Sequence, residues 1–101
     1  MTPQQESYLT TLGHSFLVRT AAAKGTPASE LYDALMAGWH DNWHTVGTMV
    51  AMSRQETNEA VGVLLADGYL QIDTPSTTVK LLPKGAVWYI KQIWGLAWCP
   101  Q

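Results

Sequence analysis

Arg54, Gln55, Thr57 and Asn58 follow Ser53 in the run SRQETNEAVGVLLADGYLQIDTPSTTVKLLPK, and each carries a side chain that can hydrogen-bond to a base edge or a phosphate. An arginine can bond guanine O6 and N7 in bidentate fashion, and a glutamine or asparagine can do so with adenine N6 and N7; each such pair gives about 1–3 kcal/mol of discrimination. The first turns of a recognition helix are the part that enters a major groove. Ser53, Arg54, Gln55, Thr57 and Asn58 are therefore the candidate contacts to duplex DNA. Further along the run, Thr78 and Lys80 add a hydroxyl and an ammonium suited to phosphate, with Thr77 and Lys84 close in sequence. Glu56 and Glu59 oppose this chemistry, because a carboxylate is repelled by phosphate unless it accepts from a cytosine amine. The alternative is a solvated or protein-facing helix with an ordinary cap, and a hairpin lysine that protects a sheet edge.

Other chemistry finds little support. His40 and His44, in HDNWH, stand at i and i+4 and superficially resemble H-E-x-x-H, with an aspartate where the catalytic glutamate would be. The flanking glycine, Asp41-Asn42 and tryptophans favour a loop, and no third ligand is identifiable; His14 is the remaining histidine. Cys99 has no base beside it in sequence and no second cysteine to pair with. A glycine-rich phosphate loop, a serine elbow and paired catalytic carboxylates are all missing. The expectation is a protein that is not an enzyme and has no cofactor or metal.

The elements that must position these residues can be read from period and punctuation. Ser53 and Glu56 form a capping-box pattern that starts a helix. Thr57, Ala60, Val61, Leu64 and Leu65 then recur at the spacing of one buried stripe. Asp67-Gly68 stops that helix, since glycine takes the left-handed conformation without a Cβ clash. The period then changes: Tyr69 to Asp73 and Thr78 to Leu82 read as two strands around a Thr74-Pro75-Ser76-Thr77 turn.

Upstream, Thr2-Pro3 opens a long helix carrying Tyr8, Leu9, Leu12, Phe16, Leu17 and Ala21 to a stop at Lys24-Gly25, with Gly13 as a soft spot. Thr26-Pro27 opens a shorter helix with Leu31, Ala34 and Leu35, ending near Gly38. Trp39 to His44 reads as a loop, and Thr45 is placed to cap a helix from Val46 to Met52 whose Val46, Met49 and Val50 face inward. Pro83-Lys84-Gly85 restarts a helix through Val87, Tyr89, Ile90, Ile93, Trp94 and Ala97, ended by Cys99-Pro100. It is apolar around most of its circumference, so it needs more than one neighbour. In a short chain this predicts packing with the N-terminal helix across a dimer interface.

A chain of 101 residues is one domain, divided into an N-terminal helix (1–25), a central module (26–84) and a C-terminal helix (85–101). Charged residues are 14% of the total against a usual quarter or so, which leaves apolar surface for a partner, a possibility that the five tryptophans reinforce. Those tryptophans are expected in core or dimer packing rather than in a stacking platform. A net charge of −2 excludes a domain-wide basic field, so any DNA contact must come from a local patch. No apolar run is long enough to span a membrane and no export signal is evident, so a soluble cytoplasmic protein is expected.

Leu64-Leu65-Ala66-Asp67-Gly68-Tyr69-Leu70 resembles the helix-to-wing junction of bacterial winged helix-turn-helix regulators, including the MarR-like and ArsR-like groups. Leu81-Leu82-Pro83-Lys84-Gly85 resembles the leucine-threonine-x-lysine-glycine that ends their wing. The resemblance covers roughly Ser29 to Lys84 and identifies no subfamily. It implies a mainly α fold with a small β-hairpin wing and additional N- and C-terminal helices, in which Trp43-His44-Thr45 is the short strand that pairs with the wing. It further implies a dimeric DNA-binding transcriptional regulator, with the terminal helices serving dimerisation. Gly62 and Val63 depart from the pattern, because relatives tend to carry polar or basic groups there. That departure favours the alternative of a winged-helix module that holds another protein.

Overall fold

The computed structural model describes residues 1–20, 25–74 and 76–100. Within them the order is α1 (Pro3–Thr20), α2 (Ala28–Ala37), α3 (Trp43–Met49), α4 (Arg54–Ala66), β1 (Leu70–Asp73), β2 (Thr78–Leu81) and α5 (Pro83–Ile93). The fold is mainly helical with a two-stranded antiparallel hairpin, in line with the class expected from sequence.

Helix α1 begins where Thr2 and Gln5 bond reciprocally: the Gln5 N–H donates to Thr2 Oγ1 at 3.3 Å and the Thr2 N–H to Gln5 Oε1 at 3.2 Å. Its apolar stripe, Tyr8, Leu9, Leu12, Phe16 and Leu17, is buried and is the surface on which α2, α3, α4 and α5 assemble. The expected continuation through Ala21 to Lys24 lies outside the described residues, and Gly25 has the expected stop conformation at φ 92°. Gly13 is a point of contact rather than a weak spot. A Cβ there would lie 2.5 Å from Tyr89 Cε2, so its absence is what lets α5 lie against α1. The Tyr89 hydroxyl reaches His14 Nδ1 at 2.7 Å at the same crossing, and burial raises the phenol's pKa.

Helix α5 is covered within the chain by α1, α2 and β2, with Ala86, Tyr89 and Ile90 buried. No second copy is needed to bury that side. The helix ends at Ile93 rather than running to Ala97, because Gly95 turns the chain at φ 70°. Residues 95–100 fold back without regular structure, bringing the Trp98 ring to 5.2 Å from that of Tyr32 on α2.

Several local expectations need correction. The residue that pairs with the hairpin is His40, whose N–H and C=O both bond Val79 at 2.9 Å, not Trp43-His44-Thr45. The reason is the Asn42 side chain, which accepts from the His44 N–H at 2.9 Å, caps α3 and draws Trp43 to Thr45 into the helix. Helix α3 therefore starts three residues earlier than Val46 and Thr45 is not its cap. The shift turns Met49 outward, 57% exposed, while Val46 remains fully buried. Similarly, Pro27 occupies the cap position of α2 without a side-chain bond, one residue later than the Thr26-Pro27 pattern suggests.

The hairpin register pairs Leu70 with Leu81, Gln71 with Lys80, Ile72 with Val79 and Asp73 with Thr78. Alternation sends Leu70, Val79 and Leu81 into the core and leaves Gln71 and Lys80 outside. Among the described residues no helix is long and apolar enough to cross a membrane.

Candidate nucleic-acid interface

Helix α4 is held at its start by a complete capping box. The Ser53 hydroxyl accepts from the Glu56 N–H at 3.1 Å, and Glu56 Oε1 accepts from the Ser53 N–H at 2.9 Å. Gln4 of α1 donates to Glu56 Oε2 at 2.6 Å, which ties the first turn of α4 to the N-terminal helix. The Ser53 backbone N–H, then its side chain, hold the Glu56 carboxyl below the usual carboxylate range, with Gln4 assisting.

The inner side of α4 is Thr57, Ala60, Val61 and Leu64, all buried. Leu65 leaves the expected stripe and is 45% exposed, because it lies about 100° around the helix from Leu64. Thr57 also leaves the set of candidate DNA contacts. It is 2% exposed, its hydroxyl donates to the Ser53 carbonyl at 2.9 Å, and its methyl packs where α3 approaches. A Cβ on Gly47 would lie 2.6 Å from Thr57 Cγ2, so the two helices meet at this glycine. The turn between them closes through the Met52 N–H to Gly47 C=O bond at 3.0 Å, with Ala51 at φ 58°.

Packing of that inner side leaves Arg54, Gln55 and Asn58 exposed in the first turns. The Arg54 guanidinium has no partner among the described residues. Gln55 Nε2 donates to Glu59 Oε1 at 3.2 Å, so bidentate contact with adenine requires Glu59 to release it. Ser53 is committed to capping, which sets where α4 begins.

On the hairpin, Lys80 is exposed without a side-chain partner among the described residues, opposite exposed Gln71. Thr78 Oγ1 lies 3.1 Å from Ser76 Oγ, whose single proton goes to the Asp73 carboxylate at 2.8 Å, so the Thr78 hydroxyl donates to Ser76 and must turn from it to reach a phosphate. Lys84 is occupied elsewhere: its Nζ donates to the Asp67 carbonyl at 2.9 Å and sits 4.4 Å from the Tyr69 ring centroid, closing the C-terminal end of α4.

A chain of contacts connects hairpin and helix. The Trp43 N–H donates to the Thr77 carbonyl at 3.1 Å and the Thr77 hydroxyl to the Asp41 carbonyl at 3.1 Å, fixing the hairpin tip to the start of α3. The Trp43 ring stacks on His44 with centroids 3.6 Å apart. His44 in turn lines a cleft of about 200 Å³ with Thr48, Met52, Arg54 and Thr57, between α3 and α4. His44 Nδ1 is buried and has no hydrogen-bond partner. Thr48 is not singled out in the sequence, and His44 stands out there only as half of the candidate metal pair. Their i, i+4 spacing was the available signal, but it depends on α3 starting at Trp43.

The histidine pair does not form a shared helical site. His40 lies in the bridge to Val79, its Nδ1 accepting from the Asn42 N–H at 3.2 Å, and His44 lies in α3. Among the described residues no three His, Cys, Asp or Glu side chains come together in a way that could hold a metal. Trp43, Trp88, Trp94 and Trp98 pack on the core, whereas Trp39 is 52% exposed. Comparison with protein-family models, with curated proteins and with solved structures finds no match to this chain.

Proposed function

We propose that this protein binds duplex DNA as a small winged-helix transcriptional regulator, with α3 and α4 as the helix-turn-helix and β1–β2 as the wing. The observation that carries this reading is the outward face of α4. Arg54, Gln55 and Asn58 are exposed in the first turns of a capped helix, and Lys80 stands exposed on a hairpin tied to the neighbouring helix. Arg54 and Asn58 supply base-edge or phosphate contacts, Gln55 joins them on release from Glu59, and Thr78 and Lys80 contact the backbone. With a net charge of −2 the affinity depends on this local patch.

The protein would act in the cytoplasm as a homodimer, with two copies of α4 about 34 Å apart along the duplex. The inner sides of α1 and α5 are used within the chain, so a second copy would meet their outer sides, where Ile93 is 40% exposed. Gel shifts with genomic fragments over a salt series test the reading. Binding that weakens steeply with salt is expected, because phosphate contacts release counterions. An absence of binding at low ionic strength would remove it.

A second reading, a winged-helix module that holds another protein, draws on Val63 and Leu65, which are 42% and 45% exposed on α4. It predicts a stoichiometric protein partner whose binding is lost in Val63→Glu and retained in Arg54→Ala.

A further inference from the structure

We infer that the cleft between α3 and α4 is a seat for one phosphate group, held by Arg54 and Thr48 beside the His44 ring, and that Arg54 is a phosphate ligand rather than a reader of bases. The residues around this cleft are His44, Thr48, Met52, Arg54 and Thr57, none of them acidic, within a volume of about 200 Å³ that has room for a small anion. Two of the five, Arg54 and Thr48, carry groups free to donate to oxygen. The Arg54 guanidinium has no partner among the described residues, and its planar fork matches the geometry of phosphate oxygens. The Thr48 hydroxyl makes only a long bond, 3.3 Å to the His44 carbonyl, and can rotate to donate elsewhere.

His44 is the least expected member. Its ring is fixed by stacking on Trp43 at 3.6 Å, yet its Nδ1 is buried with no partner. Nδ1 is closed to solvent and does not reach the cleft, so His44 serves as a fixed wall beside the anion rather than as a donor to it. Thr57 does not compete for it, since its hydroxyl is given to Ser53, and Met52 provides an apolar wall.

The inference rests on the DNA reading only for the source of the phosphate. In that reading the group is a backbone phosphodiester, gripped beside the first turn of α4, and it fixes the angle at which Gln55 and Asn58 approach the bases. A free phosphate ion has the same chemistry and is the other possible source.

Two measurements on the full chain separate these cases. In the first, binding of wild type, Arg54→Ala and Thr48→Val to three unrelated duplexes is followed between about 50 and 200 mM salt. Both variants should weaken binding on all three duplexes by similar factors, on the order of tenfold for Arg54→Ala, and only Arg54→Ala should reduce the salt slope, by about 0.9. A loss confined to one duplex, or an unchanged slope for Arg54→Ala, overturns the assignment. Both side chains are exposed, so melting temperatures should stay within a few degrees of wild type. In the second, inorganic phosphate is titrated against chloride at matched ionic strength while backbone amide resonances are recorded. Shifts at His44, Thr48 and Arg54 support the seat even if no duplex binds, in which case the DNA reading fails and the anion site stands. If neither phosphate nor duplex perturbs these residues, the seat does not exist.

Discussion

Gly47 and Ala51 control how α3 meets α4, and each makes a distinct prediction. A methyl at Gly47 would collide with Thr57, whose Cγ2 would be 2.6 Å away, and the hydroxyl of Thr57 is already bonded to Ser53. Gly47→Ala should therefore destabilise the fold by about 1–3 kcal/mol, as overpacking of a tight contact does, visible as a lowered denaturant midpoint. Ala51 has the left-handed conformation at φ 58°, which costs a residue with a Cβ about 1–2 kcal/mol. Ala51→Gly removes that strain, and the extra entropy of glycine in the unfolded chain offsets about 0.5–1 kcal/mol of the gain. The net expectation is a variant as stable as wild type or up to about 1.5 kcal/mol more stable; a loss of stability would mean that the turn depends on the Ala51 methyl. At Glu59 the prediction concerns binding. Replacing the carboxylate by an amide in Glu59→Gln removes repulsion from the outward face and should tighten duplex binding, whereas an unchanged affinity would separate that face from DNA.

At the scale of elements, α4 depends on its first turn. Ser53→Ala removes one half of the capping box and should cost about 1 kcal/mol. The other half is sensitive to pH. Glu56 titrates below its ordinary value of 4.5, held there by Ser53 and Gln4, so the ionised carboxylate stabilises the folded state above that value. This contribution is lost as pH falls from about 4.5 through the lowered folded value, and Glu56→Gln should flatten the stability profile across that acid window in urea titrations. Both ends of α4 and the two strands are legible in sequence, because capping boxes, left-handed glycines and alternation are local signals. The start of α3 is not. Thr45 and Asn42 both qualify as caps by residue type, and the choice is settled by Asn42 closing on the His44 N–H while His40 pairs with Val79, far away in sequence. Gly95 ends α5 earlier than Pro100, where the apolar run through Trp94 and Ala97 concealed the stop.

Across the whole molecule, α1 acts as the organising surface, and its contacts with α5 explain why an all-round apolar helix is compatible with a single chain. Gly13 opposite Tyr89 is the feature that composition and periodicity could not reveal, since a helix-interior glycine has the same local signature whether it is a weakness or a point of close approach. The candidate site was legible to the same degree. Arg54, Gln55 and Asn58 emerge from the capping box and the stripe, and their exposure follows from burial of the opposite side. Thr57 could not be separated from them by type, because its loss to the α3–α4 contact depends on Gly47 ten residues earlier. The cleft lined by His44, Thr48 and Arg54 is likewise a product of how two helices cross, which no local pattern encodes. The most direct test of DNA binding through α4 and the hairpin is amide chemical-shift mapping during titration with a duplex at low salt. Resonances of Arg54, Gln55, Asn58, Thr78 and Lys80 should move together and saturate together. Shifts confined to Met49, Val63 and Leu65, or none at any duplex concentration, would contradict it.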